Sequence, residues 1–111
     1  MCRALKVLCA AVTADRLAEL KRATVSVHWE LAGGATSLSE LLLQLDAERP
    51  DVVVIHQGLG QEAAAAVRRL DQRVRIVGVG GLAGADQNAA SLGDIREAIL
   101  SLPRPGGPVR G

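Results

Sequence analysis

Apolar and polar positions along this chain alternate between short runs that suit strands and longer amphipathic stretches that suit helices. Leu5 to Val12 (LKVLCAAV) is almost wholly apolar, as expected of a strand covered on both faces in a parallel sheet. Thr13 is placed to cap a helix over Ala14 to Ala23, with Leu17 and Leu20 on one face and charges on the other. Val25, Val27, Trp29 and Leu31 then alternate with Ser26, His28 and Glu30, which predicts a half-exposed edge strand ended by Gly33 and Gly34. Ser37 and Glu40 form a capping box ahead of Leu38, Leu41, Leu42 and Leu45, and Pro50 ends that helix near Arg49. Val52 to Ile55 reads as a central strand, followed by a loop over Gln57 to Gly60. Gln61 to Leu70 reads as an alanine-rich helix with Ala64, Val67 and Leu70 inward, and Val74 to Val79 as a fourth strand. Beyond Gly80 and Gly81 there is room only for a very short fifth strand at Asn88 to Ala90. Ser91 and Asp94 then form a capping box before a last helix carrying Leu92, Ile95 and Ile99.

Strands alternating with helices imply right-handed crossovers and an α/β doubly wound parallel sheet of five strands in the flavodoxin-like order 2-1-3-4-5. The crevice of such a sheet lies beyond the carboxyl ends of its strands, where the loops after Val12, His56 and Gly80 meet. Residues 1–102 form the domain in this reading. Residues 103–111, PRPGGPVRG, read as a Pro/Gly-rich linker or tail.

Composition narrows the chemistry. With 13 Lys and Arg against 12 Asp and Glu, the net charge of +1 carries no nucleic-acid footprint. Trp29 is the sole aromatic residue, too little for a base-stacking platform. Cys2 and Cys9 are too widely spaced for a redox or zinc motif, and no cofactor or metal is expected. No apolar run approaches the roughly 20 residues that span a bilayer, so no membrane insertion and a cytoplasmic location are expected. His28 reads as a solvated edge residue, and no serine or cysteine has a recognisable base partner. Gly78 to Gly84 fits a loose glycine-rich phosphate pattern, and a nucleotide- or small-ligand-binding domain using that loop is one alternative. Its position after the fourth strand, with no helix following, is not that of a dinucleotide fingerprint.

The segment ERPDVVVIHQGLG resembles the third strand of bacterial response-regulator receiver domains, which are CheY-like, with His56 at the position of the phosphorylated aspartate. GADQNAASLGDIREAIL, from Gly84, is similar to the fifth strand and last helix of that family. The resemblance implies that the acidic pair falls within Ala10, Ala11 and Val12, the hydroxyl at Gly80 and the lysine at Ser91. Every group that phosphoryl transfer needs is therefore replaced. His56 is then a strand-end imidazole bonded to backbone or water, in a vacated site.

Only Leu82 and Ala83 stand where the family has a fourth helix, so that helix is missing or reduced to a turn. The loss predicts an uncovered apolar face at Val79, Leu82, Ala89, Ile95 and Ile99, available to a second copy or another protein partner. Ala63 to Ala66 offer a further small-residue surface. A receiver-like domain without phosphorylation residues, followed by a Pro/Gly linker, resembles the N-terminal atypical receiver domains of MinD/ParA-like ATPases that assemble tight-adherence (Flp) pili. That resemblance implies a non-catalytic regulatory, localising and pairing module that docks to pilus-assembly machinery, with an ATPase domain following the linker. A stand-alone pseudo-receiver adaptor in another signalling pathway is the second alternative.

Overall fold

The structure, a computed structural model, describes residues 5–102; Cys2 and the 103–111 tail assigned to a linker lie outside the described residues. Five parallel strands, β1 (Leu5–Ala10), β2 (Trp29–Ala35), β3 (Val52–His56), β4 (Arg75–Val79) and β5 (Gln87–Ala89), form one sheet in the order β2-β1-β3-β4-β5. Four helices cover it: α1 (Ala14–Thr24), α2 (Leu38–Glu48), α3 (Ala63–Leu70) and α4 (Ile95–Leu100). Side chains alternate across each strand, so one apolar face packs Leu8, Val53, Ile55 and Ile76 under α2 and α3. The opposite face packs Val7, Cys9, Val54 and Val77 under α1 and α4. This is the flavodoxin-like order expected, and no described helix is long and apolar enough to cross a membrane.

The second strand differs from expectation. It begins at Trp29 and runs through Gly33 and Gly34, while Val25 and Val27 lie in the preceding connection, 54% and 97% exposed. Trp29 decides this register. Its ring is buried and its Nε1 donates to the Thr24 carbonyl at 2.7 Å, satisfying one of the free carbonyls at the end of α1. The two glycines fit the strand because they let both layers close on it. A Cβ on Gly33 would stand 2.6 Å from Gln44 Oε1 of α2, and one on Gly34 would stand 2.9 Å from Leu17 Cδ2 of α1. The ladder with β1 slips by one residue there, from Val7 opposite Leu31 to Cys9 opposite Gly34.

Helix ends mostly follow the sequence signals. Thr13 Oγ1 accepts from the Arg16 amide at 3.1 Å, and Ser37 Oγ accepts from the Glu40 amide at 3.1 Å. Glu40 returns its carboxylate to the Thr36 amide at 2.7 Å, one residue further back than a standard capping box. Arg49 turns left-handed at φ 50° ahead of Pro50 and closes α2. The start of the last helix is different. A single 3-10 turn at Leu92–Asp94 opens it, the Asp94 amide donates to the Ser91 carbonyl, and Ser91 Oγ donates to the Asp94 carboxylate instead of capping. Helix α3 begins at Ala63, and its last residue, Leu70, is 51% exposed because the chain turns away at Asp71. Ala63 and Ala64 are buried against the sheet, so the alanine run does not form the small-residue surface expected of it.

A turn over residues 80–86 stands where the fourth helix of related folds would lie, and it covers the sheet. Leu82 inserts onto the α2/α3 face and is 1% exposed. It can reach that depth because Gly78, beneath it on β4, has no side chain: a Cβ there would stand 2.5 Å from Leu82 Cβ and press against Asn88 Oδ1. The turn is clamped by side chains. Asn88 Oδ1 accepts the Leu82 amide at 2.8 Å, and Asn88 Nδ2 donates to the Leu82 carbonyl at 3.3 Å. Gln61 Oε1 accepts the Ala83 amide at 2.9 Å. Arg68 donates to the Gly84 carbonyl and pairs with Asp86 at 2.9 Å, and Asp86 accepts the Ile76 amide of β4 at 2.8 Å.

This construction corrects the expected docking face. Val79, Leu82, Ala89, Ile95 and Ile99 are each at most 4% exposed and belong to the core. All but Leu82 lie on the α1/α4 face, where Ile95 and Ile99 of α4 pack with Val79 and Ala89 of the sheet, so removal of a helix from the α2/α3 face does not expose them.

Two predictions follow from this packing. Gly78→Ala should destabilise the protein by about 1–3 kcal/mol in urea unfolding, through overpacking of Leu82. Gly93→Ala, whose added Cβ meets nothing closer than 3.8 Å, should stay within about 0.5 kcal/mol of wild type. Equal midpoints for the two variants would contradict the role given to Gly78. Burial also pushes the Cys9 thiol up to about 11, the Thr24 hydrogen bond and Lys21 charge opposing this only in part. In a Cys2→Ser background, Cys9 should resist thiol reagents at about pH 8 until urea unfolds the chain. Because the folded value lies above the unfolded one, this group's contribution to stability is complete below about pH 9 and is lost as pH rises toward about 11.

Candidate functional site

The crevice is built from the ends of β1, β3 and β4. Strand β1 ends at Ala10, and Ala10 and Ala11 are both buried, the Ala11 amide donating to the Ala35 carbonyl at 3.0 Å. Val12 then leaves the sheet and is 49% exposed. His56 is the last residue of β3, opposite Val79 in the ladder with β4. Its imidazole bends back over the next turn, where Nδ1 accepts the Gly58 amide at 3.1 Å. That bond caps a 3-10 turn over Gln57–Leu59, closed by Gly60 at φ 118°. His56 is therefore the strand-end imidazole expected, bonded to backbone.

Gly58 is held between two neighbours. A Cβ on it would stand 3.3 Å from His56 Nδ1 and 3.4 Å from Val12 Cγ1. Gly80 follows β4 with φ 89°, a conformation that disfavours side chains, and the Gln57 amide lies on it, with its Cδ and Nε2 2.9 Å from where a Cβ would be. Val12, His56, Gln57, Gly58 and Gly80 thus form one contiguous mouth. Ser91 stands at the end of β5, with its hydroxyl turned to Asp94, and does not join them. His28 precedes β2 and so lies at the opposite, amino end of the parallel sheet, exposed.

The mouth is lined by an aliphatic side chain, a carboxamide, an imidazole and two glycines, a set without the carboxylates that anchor Mg²⁺. Among the described residues no group of three or more His, Cys, Asp or Glu could hold a metal. In the glycine-rich stretch after β4, three amides are already engaged within the fold. The Gly80 amide goes to the Ala89 carbonyl at 3.0 Å, the Leu82 amide to Asn88 and the Ala83 amide to Gln61.

Gln57 and Gln61, the two side chains that join the loop after β3 to the turn after β4, stand out in no sequence pattern. Polar residues in a loop carry no periodicity, so only the fold reveals that they meet Gly80 and Ala83.

No family model and no curated relative matches the chain. Solved structures do. The signal receiver domain of the putative response regulator NarL from Mycobacterium tuberculosis is 19% identical, with a TM-score of 0.73 over 89% of this chain and 95% of that one. The response regulator domain of Thermotoga maritima CheB is 18% identical, with a TM-score of 0.69 over 91% and 100%. A chain of the CheX–CheY–BeF3–Mg complex from Borrelia burgdorferi is 13% identical, with a TM-score of 0.72 over 87% of each. At these identities the likeness shows the receiver fold, with the same five-stranded order found here.

Proposed function

We propose that this chain is a phosphorylation-independent receiver-fold module that acts by binding protein, the atypical receiver domain of a MinD/ParA-like ATPase of tight-adherence pilus assembly. The observation that carries the reading is the state of His56. By the sequence resemblance it stands where receiver domains carry the phosphorylated aspartate; its Nδ1 is engaged by the Gly58 amide, and its neighbours Val12, Gln57 and Gly80 bring no charge. Phosphoryl transfer depends on carboxylate-held metal and on cations around the transferred group, and neither stands at this mouth.

A protein partner is the natural ligand of such a module, and the CheX–CheY complex is a receiver-type fold named with a partner. Pairing with a second copy or docking to the pilus machinery in the cytoplasm uses a surface other than the closed turn over Leu82. The pilus assignment rests on the sequence resemblance and on the Pro/Gly-rich residues 103–111.

Incubation with Mg²⁺ and acetyl phosphate should add no phosphoryl mass, and beryllofluoride with Mg²⁺ should leave the amide resonances of His56 and Gly80 in place. A stable adduct at His56 would overturn the reading. The gene offers a separate check on the pilus assignment: a Walker-type P-loop should be encoded shortly after Gly111, and its absence would favour a stand-alone adaptor.

A further inference from the structure

We infer that the chain associates with further copies of itself head to tail, the outer side of α1 and α4 in one copy receiving the outer side of α2 in the next. The inference rests on the reading of the chain as a protein-binding module, and it names the surface and the partner. Three of the large apolar side chains left exposed, Val25, Val27 and Leu100, fall together, and Leu43 lies on the opposite side of the sheet.

Arg96 assembles the first surface. From α4 its Nε donates to the Val25 carbonyl at 2.6 Å and its Nη2 to the Arg22 carbonyl at 3.3 Å, which joins α4 to the end of α1. Leu100 is four residues on from Arg96, so it stands beside it on one helical stripe. Val25 and, two residues on, Val27 at 97% exposed extend the patch past the end of α1. The charge on this patch is not neutralised. Carbonyls accept from Arg96 without carrying a net charge, and Glu19, one turn back from Arg22, is taken by Arg16 at 3.3 Å. Among the described residues neither Arg22 nor Arg96 forms an ion pair, with the adjacent Glu97 or any other carboxylate. Aliphatic side chains beside unpaired arginines are the composition of a binding hot spot.

The outer stripe of α2 is its complement. Leu43, 73% exposed, has Ser39 and Ala47 four residues to either side and Glu40 and Asp46 three residues to either side. The small residues let a neighbouring surface close on Leu43, and the carboxylates flank it. Glu40 is bonded to the Thr36 amide and hydroxyl, both neutral, so its charge remains. Asp46 has Arg49 alongside at 3.8 Å, an exposed and loose pair that an arginine of another copy can exchange with. Like surfaces do not suit each other, because two α1/α4 patches would oppose arginines and two α2 patches would oppose carboxylates. The favourable contact is therefore heterologous. With α2 over one face of the sheet and α1 and α4 over the other, a copy bound through one surface keeps its second surface free, and growth does not stop at a dimer.

Sedimentation velocity on the full chain between about 10 µM and about 1 mM, the range of weak contacts, should show a mass that rises past the dimer and falls back at raised ionic strength. Leu43→Glu and Val27→Glu change exposed positions, so the fold should hold, and each variant alone should stay monomeric, its contact weakened about tenfold or more. Mixed together they should form a dimer that grows no further, since each keeps the surface the other lacks. A wild-type chain that stays monomeric, a dimer that closes, or a mixture that stays monomeric would each overturn head-to-tail association while leaving the phosphorylation-independent reading in place. A phosphoryl adduct would overturn that reading whatever the sedimentation shows.

Discussion

A parallel sheet has to be covered on both faces, and the structure turns on how that requirement is met over β4 and β5. Four helices leave the α2/α3 face one cover short. The deficit is made up by one side chain, Leu82, seated on a glycine and clamped by Asn88. Full burial of a leucine contributes about 1.5–3 kcal/mol, so Leu82 replaces only part of what a helix would bury, and the clamp supplies the rest of the order. Asn88 satisfies both backbone groups of Leu82, while Asp86 and Arg68 tie the far end of the turn to β4 and α3. Each bond lets a buried or half-buried polar group accompany the leucine onto the sheet without losing a partner.

That closure shapes the crevice. Because the chain returns from Val79 through a tight turn, Gly80 lies under Gln57 and the Ala83 amide under Gln61. The Gly80, Leu82 and Ala83 amides are used to hold the turn. The mouth that remains combines Val12, an imidazole and a carboxamide.

The central elements were legible for reasons visible in individual residues. Val52 to Ile55 is apolar on both faces, and only a central parallel strand uses such a run. Ser37 and Glu40 mark the start of α2 because their side chains reach nearby backbone amides in any context. The errors came where distant contacts chose between local readings. Alternation at Val25 to Leu31 suits a strand, but the bond from Trp29 to Thr24 makes Trp29 the first strand residue. Glycines at 33 and 34 look like a break until helices approach from both sides.

The chain by itself determined the order of its elements and the apolar strands that make the sheet. These depend on residue type and short-range spacing, which are fully present in one dimension. Only the tertiary structure decided whether the missing helix left an open face. That answer depends on Gly78, Leu82 and Asn88 meeting in space, and on four of the five suspected surface residues lying on the other side of the sheet. It also gave His56, expected as a strand-end imidazole bonded to backbone or water, its particular partner, because which amide donates to the ring, here that of Gly58, is a matter of geometry that no pattern of residues records.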